Sequence, residues 1–321
     1  MTGSRPEREY LPTPSVGVNR ALGGKGLESG RIHVYWGPKA SGKTTFALQQ
    51  IAVAQRQGKI CAFIDSEKAF SKKWAQDNGV DVDKLLYHNS MVVEETLELL
   101  MPDIKEGKID LLVVDSVNSL TYSSYFDSPE ANAMGTYARS AKFFTHKLLH
   151  VLNENQQVIF ISQAAMAKQG QNFNLKASVG SAIEHWASTM IKFQKTMYSQ
   201  PDPGKENDGW RKDGSFKVDW RIDKSKQSVY PVKGSYWFNP GTAEIDNIEE
   251  ITSAVKAAGI VTSAGAWIYY PDKDTCGDNR WNGSNALTEE LRSNLTLRDE
   301  FIEKLNGIKI ELASEDDGDE S

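Results

Sequence analysis

The chain has 321 residues, 39% hydrophobic and 25% charged, with a net charge of -6, the composition of an ordinary globular protein with one large domain and an appendage, or two domains. No apolar run is long enough to cross a bilayer and no secretory leader follows Met1, so a cytoplasmic protein with no membrane partner is expected. Its two cysteines, Cys61 and Cys276, stand far apart in no metal-ligand spacing, which argues against a disulfide framework and a zinc site.

Residues 1–15 are polar, with Pro6, Pro12 and Pro14, and read as a flexible or extended arm. After a glycine-rich approach, Arg31 to Trp36 is β-branched and aromatic, as a strand should be. It runs into Gly37, Pro38, Lys39, Ala40, Ser41, Gly42, Lys43 and Thr44, a full match to G-x-x-x-x-G-K-[ST]. In that pattern the glycines let backbone N–H groups curl around phosphates, the lysine reaches the β- and γ-phosphates, and the Thr44 hydroxyl ligates Mg²⁺. Thr45 to Gln57 follows as a buried helix stopped by Gly58. Strand, loop and helix are the setting a phosphate-binding loop requires.

Lys59 to Ile64 is a second buried strand, and it ends at Asp65, Ser66 and Glu67, the edge where α/β folds bind ligands. A short helix near Lys72 to Asn78 and a longer one from Glu94 to Lys105, containing Pro102, lead to Ile109 to Ser116. This strand of apolar residues closing on Asp115 has the form whose acid holds the Mg²⁺ shell beside Thr44. Residues 117–133 look loop-like, 134–153 form a long helix, and Gln157 to Ser162 is a strand with Gln163 at its end. The alternation gives a wound α/β core with parallel crossovers.

Residues 164–180 carry little apolar pattern and read as a mobile loop. Further strands are expected at Thr189 to Gln194, Phe216 to Asp223 and Gly234 to Asn239, the last two antiparallel, with Lys224 and Lys226 between them. Asp246 to Ala258 is helical and opens a smaller domain, with another helical stretch near Leu297 to Leu305. The expected division is an arm at 1–15, a core at 16–245, a small domain at 246–310 and a tail at 311–321. The six acids of that tail equal the whole net charge, so the rest is neutral. Such a run reads as a solvated, disordered tail; the alternative is a competitor with DNA phosphates for a basic surface.

Together these residues resemble the RecA family of DNA recombinases. The resemblance covers the chain from Val16 to the tail. It rests on the loop through Thr45, Cys61 to Glu67, Val113 to Val117, Met134-Gly135 with Ala138-Arg139, the strand ending at Gln163, the Lys224 and Lys226 pair, and Ala264 to Trp267. It implies a RecA-like ATPase core with a mostly parallel sheet flanked by helices and a small α/β domain beyond it. It also implies an ATP- and Mg²⁺-dependent recombinase forming a helical filament on single-stranded DNA and pairing that strand with a homologous duplex. Glu67 becomes the base that activates water, Gln163 the sensor of the γ-phosphate, and Trp74 the ring stacked on adenine, with a core tryptophan as the plainer reading. Lys224 and Lys226 would reach the nucleotide of the neighbouring subunit, and plain solvated charge is the alternative. Met134, Arg139, Met166, Lys168, Phe173 and Lys176 fall in the family's DNA-binding loops, whose logic is an electrostatic track with apolar inserts.

Lys39-Ala40, Ser162, Ala164-Ala165 and Val179-Gly180 depart from the bacterial pattern. Residues 1–15 do not look like the family's amino-terminal helix, and Tyr10 to Pro14 suggests instead an extended segment added to a neighbour's sheet. A short, divergent chain of this kind fits a bacteriophage recombinase acting in an infected bacterial cell. The competing readings are a hexameric helicase with the same core and a nucleotide-gated assembly ATPase that does not bind DNA.

Overall fold

The computed structural model describes residues 8–127, 136–169, 172–196, 209–227, 232–271 and 280–307. Its first half contains β1 (Tyr10–Leu11), α1 (Val16–Ala21), β2 (Leu27–Glu28), β3 (Arg31–Gly37), α2 (Lys43–Arg56), β4 (Cys61–Asp65), α3 (Lys72–Asp77), β5 (Leu86–His88), α4 (Val93–Lys105), β6 (Leu111–Asp115), α5 (Ser124–Asp127) and α6 (Thr136–Val151). The second half contains β7 (Gln157–Gln169), β8 (Asn172–Ala177), α7 (Gly180–Trp186), β9 (Thr189–Lys195), β10 (Phe216–Ser225), β11 (Val232–Asn239), β12 (Glu244–Asp246), α8 (Ile248–Ala257), β13 (Thr262–Ala264), β14 (Trp267–Tyr269), β15 (Arg280–Asn282), α9 (Gly283–Ser293) and α10 (Leu295–Gly307).

One large sheet runs β12-β11-β10-β9-β3-β7-β6-β4-β5, with β8 paired to β7. From β9 to β5 every pairing on that path is parallel, whereas β9-β10, β10-β11 and β11-β12 are antiparallel. The parallel part is buried on both faces because successive strand residues point opposite ways. Tyr35, Leu111, Val113, Ile159 and Ile161 join a cluster with Phe46, Leu48 and Ile51 of α2. Ile32, Val34, Leu112, Val114, Val158 and Phe160 join another with Leu100 and Ile104 of α4 and Phe144 and Leu148 of α6. A third cluster unites α8, α9 and α10 with the three-stranded sheet β13-β14-β15 through Ile251, Ile268, Trp281, Leu287 and Phe301.

The architecture is therefore the mixed α/β fold the sequence implies, with a mostly parallel sheet between helices and a small sheet beside it. Four details differ. Residues 164–180 were expected to be irregular, yet β7 runs on past Gln163 and pairs antiparallel with β8 from Ala164↔Ala177 to Gln169↔Asn172. Ala164, Leu175 and Ala177 pack against the cluster beneath them, an apolar pattern too sparse to read in one dimension. Residues 8–15, part of the expected arm, dock on their own chain: β1 pairs with β2, Leu11 is buried, and the Pro12 carbonyl accepts from Gln50 Nε2 at 2.7 Å. Ser15 caps α1 by accepting the Val18 N–H. Asp246 closes β12 rather than opening α8, and α1, α5, α7, α9, β5 and β13 to β15 were not anticipated. Residues 1–7 and the tail lie outside the described residues.

Candidate nucleotide site

The register of the parallel strands gathers the site. Gly37 lies opposite Gln163, Asp115 opposite both Ile161 and Asp65, so the carboxyl ends of β3, β7, β6 and β4 form one edge. Gly37 must be glycine, because a Cβ there would stand 2.0 Å from the Phe193 carbonyl oxygen of β9. Gly42 has φ +91° and turns the chain into α2, so that the loop folds back over the helix start.

Lys43 is buried and its Nζ donates to the carbonyls of Gly37 (3.1 Å) and Pro38 (2.7 Å) and to Ser41 Oγ (3.4 Å). Burial lowers its pKa from the ordinary lysine value, while Asp115 and Glu67 pull the other way. Thr44 Oγ1 donates to Asp115 Oδ2 at 2.6 Å. Burial pushes the Asp115 carboxyl up to about 6; the Thr44 bond and Lys43 oppose the rise, and Glu67 and Asp65 add to it. A hydroxyl beside a carboxylate crowded by other acids is a hard oxygen donor set, so these residues fit Mg²⁺. Among the described residues no group of three or more His, Cys, Asp or Glu gathers around a metal position, and an ion sharing phosphate oxygens needs none.

Glu67 is exposed at the rim, and its Oε1 accepts from Ser116 Oγ at 2.6 Å and from Gln163 Nε2 at 3.1 Å. Asp65, two residues earlier, does different work: it accepts the N–H groups of Ala69 (3.1 Å) and Phe70 (2.9 Å) and the Tyr87 hydroxyl (3.0 Å), which shapes the loop carrying Glu67. Ser66 Oγ donates to the Ser116 carbonyl at 2.6 Å, tying that loop to the end of β6. Ser66 and Ser116 fell within the strand-end motifs but were given no role from the sequence; the only signal was a hydroxyl beside each strand's acid.

Not every expected residue joins this edge. Lys39 and Ala40 are exposed on the loop and Thr45 is half-buried on the first turn of α2. Trp74 packs on the core cluster with its ring edge-on to Phe238 at 6.1 Å. Lys224 lies opposite Met190, which pairs with Val34, three residues before Gly37 along β3, so Lys224 sits about 10 Å back along the sheet, and Lys226, bonded to Ser188, lies further back still. Lys224 Nζ donates to the carbonyls of Glu184 and His185, and burial, with Lys226, lowers its pKa. Among the expected DNA contacts, Arg139 is exposed on α6, Met166 and Lys176 are exposed on the hairpin, and Lys168 and Phe173 occupy paired register positions near its tip. Met134 lies outside the described residues. A cleft of about 970 Å³ opens elsewhere, between α2, β12 and α10. Its Arg211 and Arg292 both bind Asp246, at 2.7 and 3.0 Å, so it offers no phosphate-loop chemistry.

A central parallel strand feeding a glycine loop and helix, with a strand-end acid held on the loop's threonine, defines the class of phosphate-loop proteins. The family profile described as RecA N-terminal domain matches residues 3–208. Protein RecA of Colwellia psychrerythraea (strain 34H) is 33% identical over 307 residues, covering 92% of this chain and 85% of its own. Protein RecA of Bartonella quintana (strain Toulouse) is 32% identical over 313 residues, covering 95% and 86%. The chain belongs to the RecA family of recombinases.

Proposed function

We propose that the chain is an ATP-dependent homologous recombinase that assembles a helical filament on single-stranded DNA and exchanges that strand with a homologous duplex. The observation that carries this reading is the convergence of Lys43, Thr44, Asp115, Glu67 and Gln163 on one sheet edge in a RecA-family chain, with a hairpin rising directly from Gln163. Nucleotide phosphates would draw Lys43 Nζ from the loop carbonyls it now holds. Thr44 and Asp115 would hold Mg²⁺, which would supply charge neutralisation for the phosphates.

Glu67 orients and activates the attacking water, a role for which position matters more than covalent chemistry. Ser116 and Gln163 donate to the same carboxylate oxygen, so they fix its direction. Gln163 exchanges that bond for the γ-phosphate when nucleotide arrives, which is how occupancy reaches the hairpin. Trp74 stacks on the base. Lys224 and Lys226 lie back from their own loop, which suits a contribution to the neighbouring subunit's nucleotide and makes turnover depend on assembly. Arg139, Lys168 and Lys176 track phosphates while Met134, Met166 and Phe173 insert between bases. The division into a core at 16–245 and a small domain at 246–310 belongs to the same reading. So does a site of action in the cytoplasm of a bacterial cell, phage-infected or not; no described helix is long and apolar enough to cross a membrane.

The test is ATP turnover and electron microscopy with and without single-stranded DNA. Turnover that rises with DNA, together with helical filaments, is expected. Closed rings that unwind duplexes would mean a helicase, and turnover indifferent to DNA would mean an assembly ATPase.

A further inference from the structure

The short turn Val117–Ser119 follows the acid of β6, and its middle residue has no part in the chemistry above. Val117 and Leu120 on either side are fully buried, which fixes the turn's backbone, and Asn118 projects from it toward the root of the β7-β8 hairpin. Its Oδ1 accepts the Gln163 N–H at 3.0 Å and its Nδ2 donates to the Ser178 carbonyl. The Ser178 N–H in turn donates to the Gln163 carbonyl at 3.0 Å. One side-chain amide therefore joins the residue where the hairpin begins to the residue where it ends.

The sheet explains why an amide is needed there. The β6-β7 ladder stops at Asp115↔Ile161, two residues short of Gln163. A carboxamide carries an acceptor and a donor side by side, as a peptide group does, so Asn118 supplies the missing rung in place of backbone. Both partners are reachable by water, so removing the amide costs the fold little. What it removes is the side-chain bridge between them and their tie to the turn after β6; the Ser178 N–H bond to the Gln163 carbonyl and the β7-β8 ladder remain.

Gln163 is also the residue whose side chain donates to Glu67. We propose that Asn118 is a positioning residue that gives Gln163 a second, side-chain route to β8 beside the backbone bond, so that a change at Gln163 on phosphate binding is passed to β8 more fully than the ladder alone would pass it. The proposal rests on the reading of Glu67 and Gln163 as the phosphate-facing pair. It requires nothing of the ligand that the hairpin meets.

The test is hydrogen exchange at residues 164–169 and 172–178 of the full chain, with and without Mg²⁺ and an ATP analogue bearing an imido β–γ bridge. In the unmodified chain, nucleotide is expected to change exchange in both strands by about fivefold or more, the scale of ordinary site-to-site coupling. Asn118→Ala should keep analogue affinity within about threefold and keep the response of 164–169, while the response of 172–178, left with the backbone route alone, falls to about half or less of its size in the unmodified chain. Asn118→Asp retains an acceptor for the Gln163 N–H and loses the donor to Ser178, so it should show the same loss in 172–178.

A nucleotide response of 172–178 that persists undiminished in Asn118→Ala overturns the proposal. So does the absence of any response in the unmodified chain, or a loss of analogue affinity beyond about tenfold, which would put Asn118 in the binding site itself. A change in 172–178 that is equally large without nucleotide would make the residue merely structural, and also overturns it. No DNA enters the measurement, so a chain that failed to bind single-stranded DNA would sink the recombinase reading and leave this one standing.

Discussion

His33 lies on β3 four residues before the phosphate loop, with none of its surface exposed. Its Nε2 is 3.0 Å from the Glu28 carbonyl oxygen, which can only accept, so Nε2 carries the proton of the neutral ring. Nδ1 is buried with no hydrogen-bond partner. Charging the ring would put an unpaired N–H⁺ in the core, and burial accordingly drives its pKa from 6.5 down to about 4; Glu28 opposes that shift and Arg31 adds to it. An unfolded chain takes up this proton near 6.5, and the folded chain resists until about 4. Within that window the unfolded state binds more protons, so stability is intact above it and falls as pH falls through it. A shift of about 2.5 units at about 1.4 kcal/mol each amounts to roughly 3 kcal/mol. His33→Gln keeps an N–H for the Glu28 carbonyl and removes the titration. Urea unfolding at intervals from about pH 7 to about pH 4 should therefore show the native chain losing roughly 3 kcal/mol more than the variant. Parallel profiles, agreeing within about 0.5 kcal/mol, would refute the reasoning.

Glu67→Gln should bind ATP and still assemble, with turnover reduced by about a hundredfold or more; ordinary hydrolysis in the variant would remove Glu67 from the catalytic role. Gly37→Ala places a methyl 2.0 Å from the Phe193 carbonyl oxygen, so it should cost about 1–3 kcal/mol in unfolding experiments and abolish nucleotide binding. Wild-type affinity there would mean that the β3-β9 approach relaxes freely. Truncation after Ala313 removes Glu315, Asp316, Asp317, Asp319 and Glu320 and should tighten single-stranded DNA binding, most at low salt. Equal affinity for both forms in a salt titration would leave the tail without influence on DNA.

Much of the fold and the loop was legible because local patterns dictate them. A run of β-branched and aromatic residues, two glycines at fixed spacing and a helix with an apolar face are decided within a few residues of one another, as Arg31 to Gln57 shows. The strand-end acids were legible for the same reason. The hairpin at 164–177 was not, because Ala164, Leu175 and Ala177 are small or isolated and only their packing on the cluster below selects strand over loop. Residues 8–15 misled for a related reason: prolines and polar residues suggest an arm, and Leu11 and Ser15 become anchors only when the rest of the chain supplies their partners.

By itself, then, the sequence determined the order of the central strands and the helices between them, the phosphate loop and the residue types at the strand ends, since each follows from short-range sterics and burial period. Only the tertiary structure decided which partners each acid has. Asp65 and Glu67 are two residues apart and chemically alike, yet one is consumed by the N–H groups of Ala69 and Phe70 and the other receives Ser116 and Gln163. That separation depends on a serine 49 residues away and a glutamine 96 residues away, brought to one edge by parallel register. No local pattern encodes such a pairing.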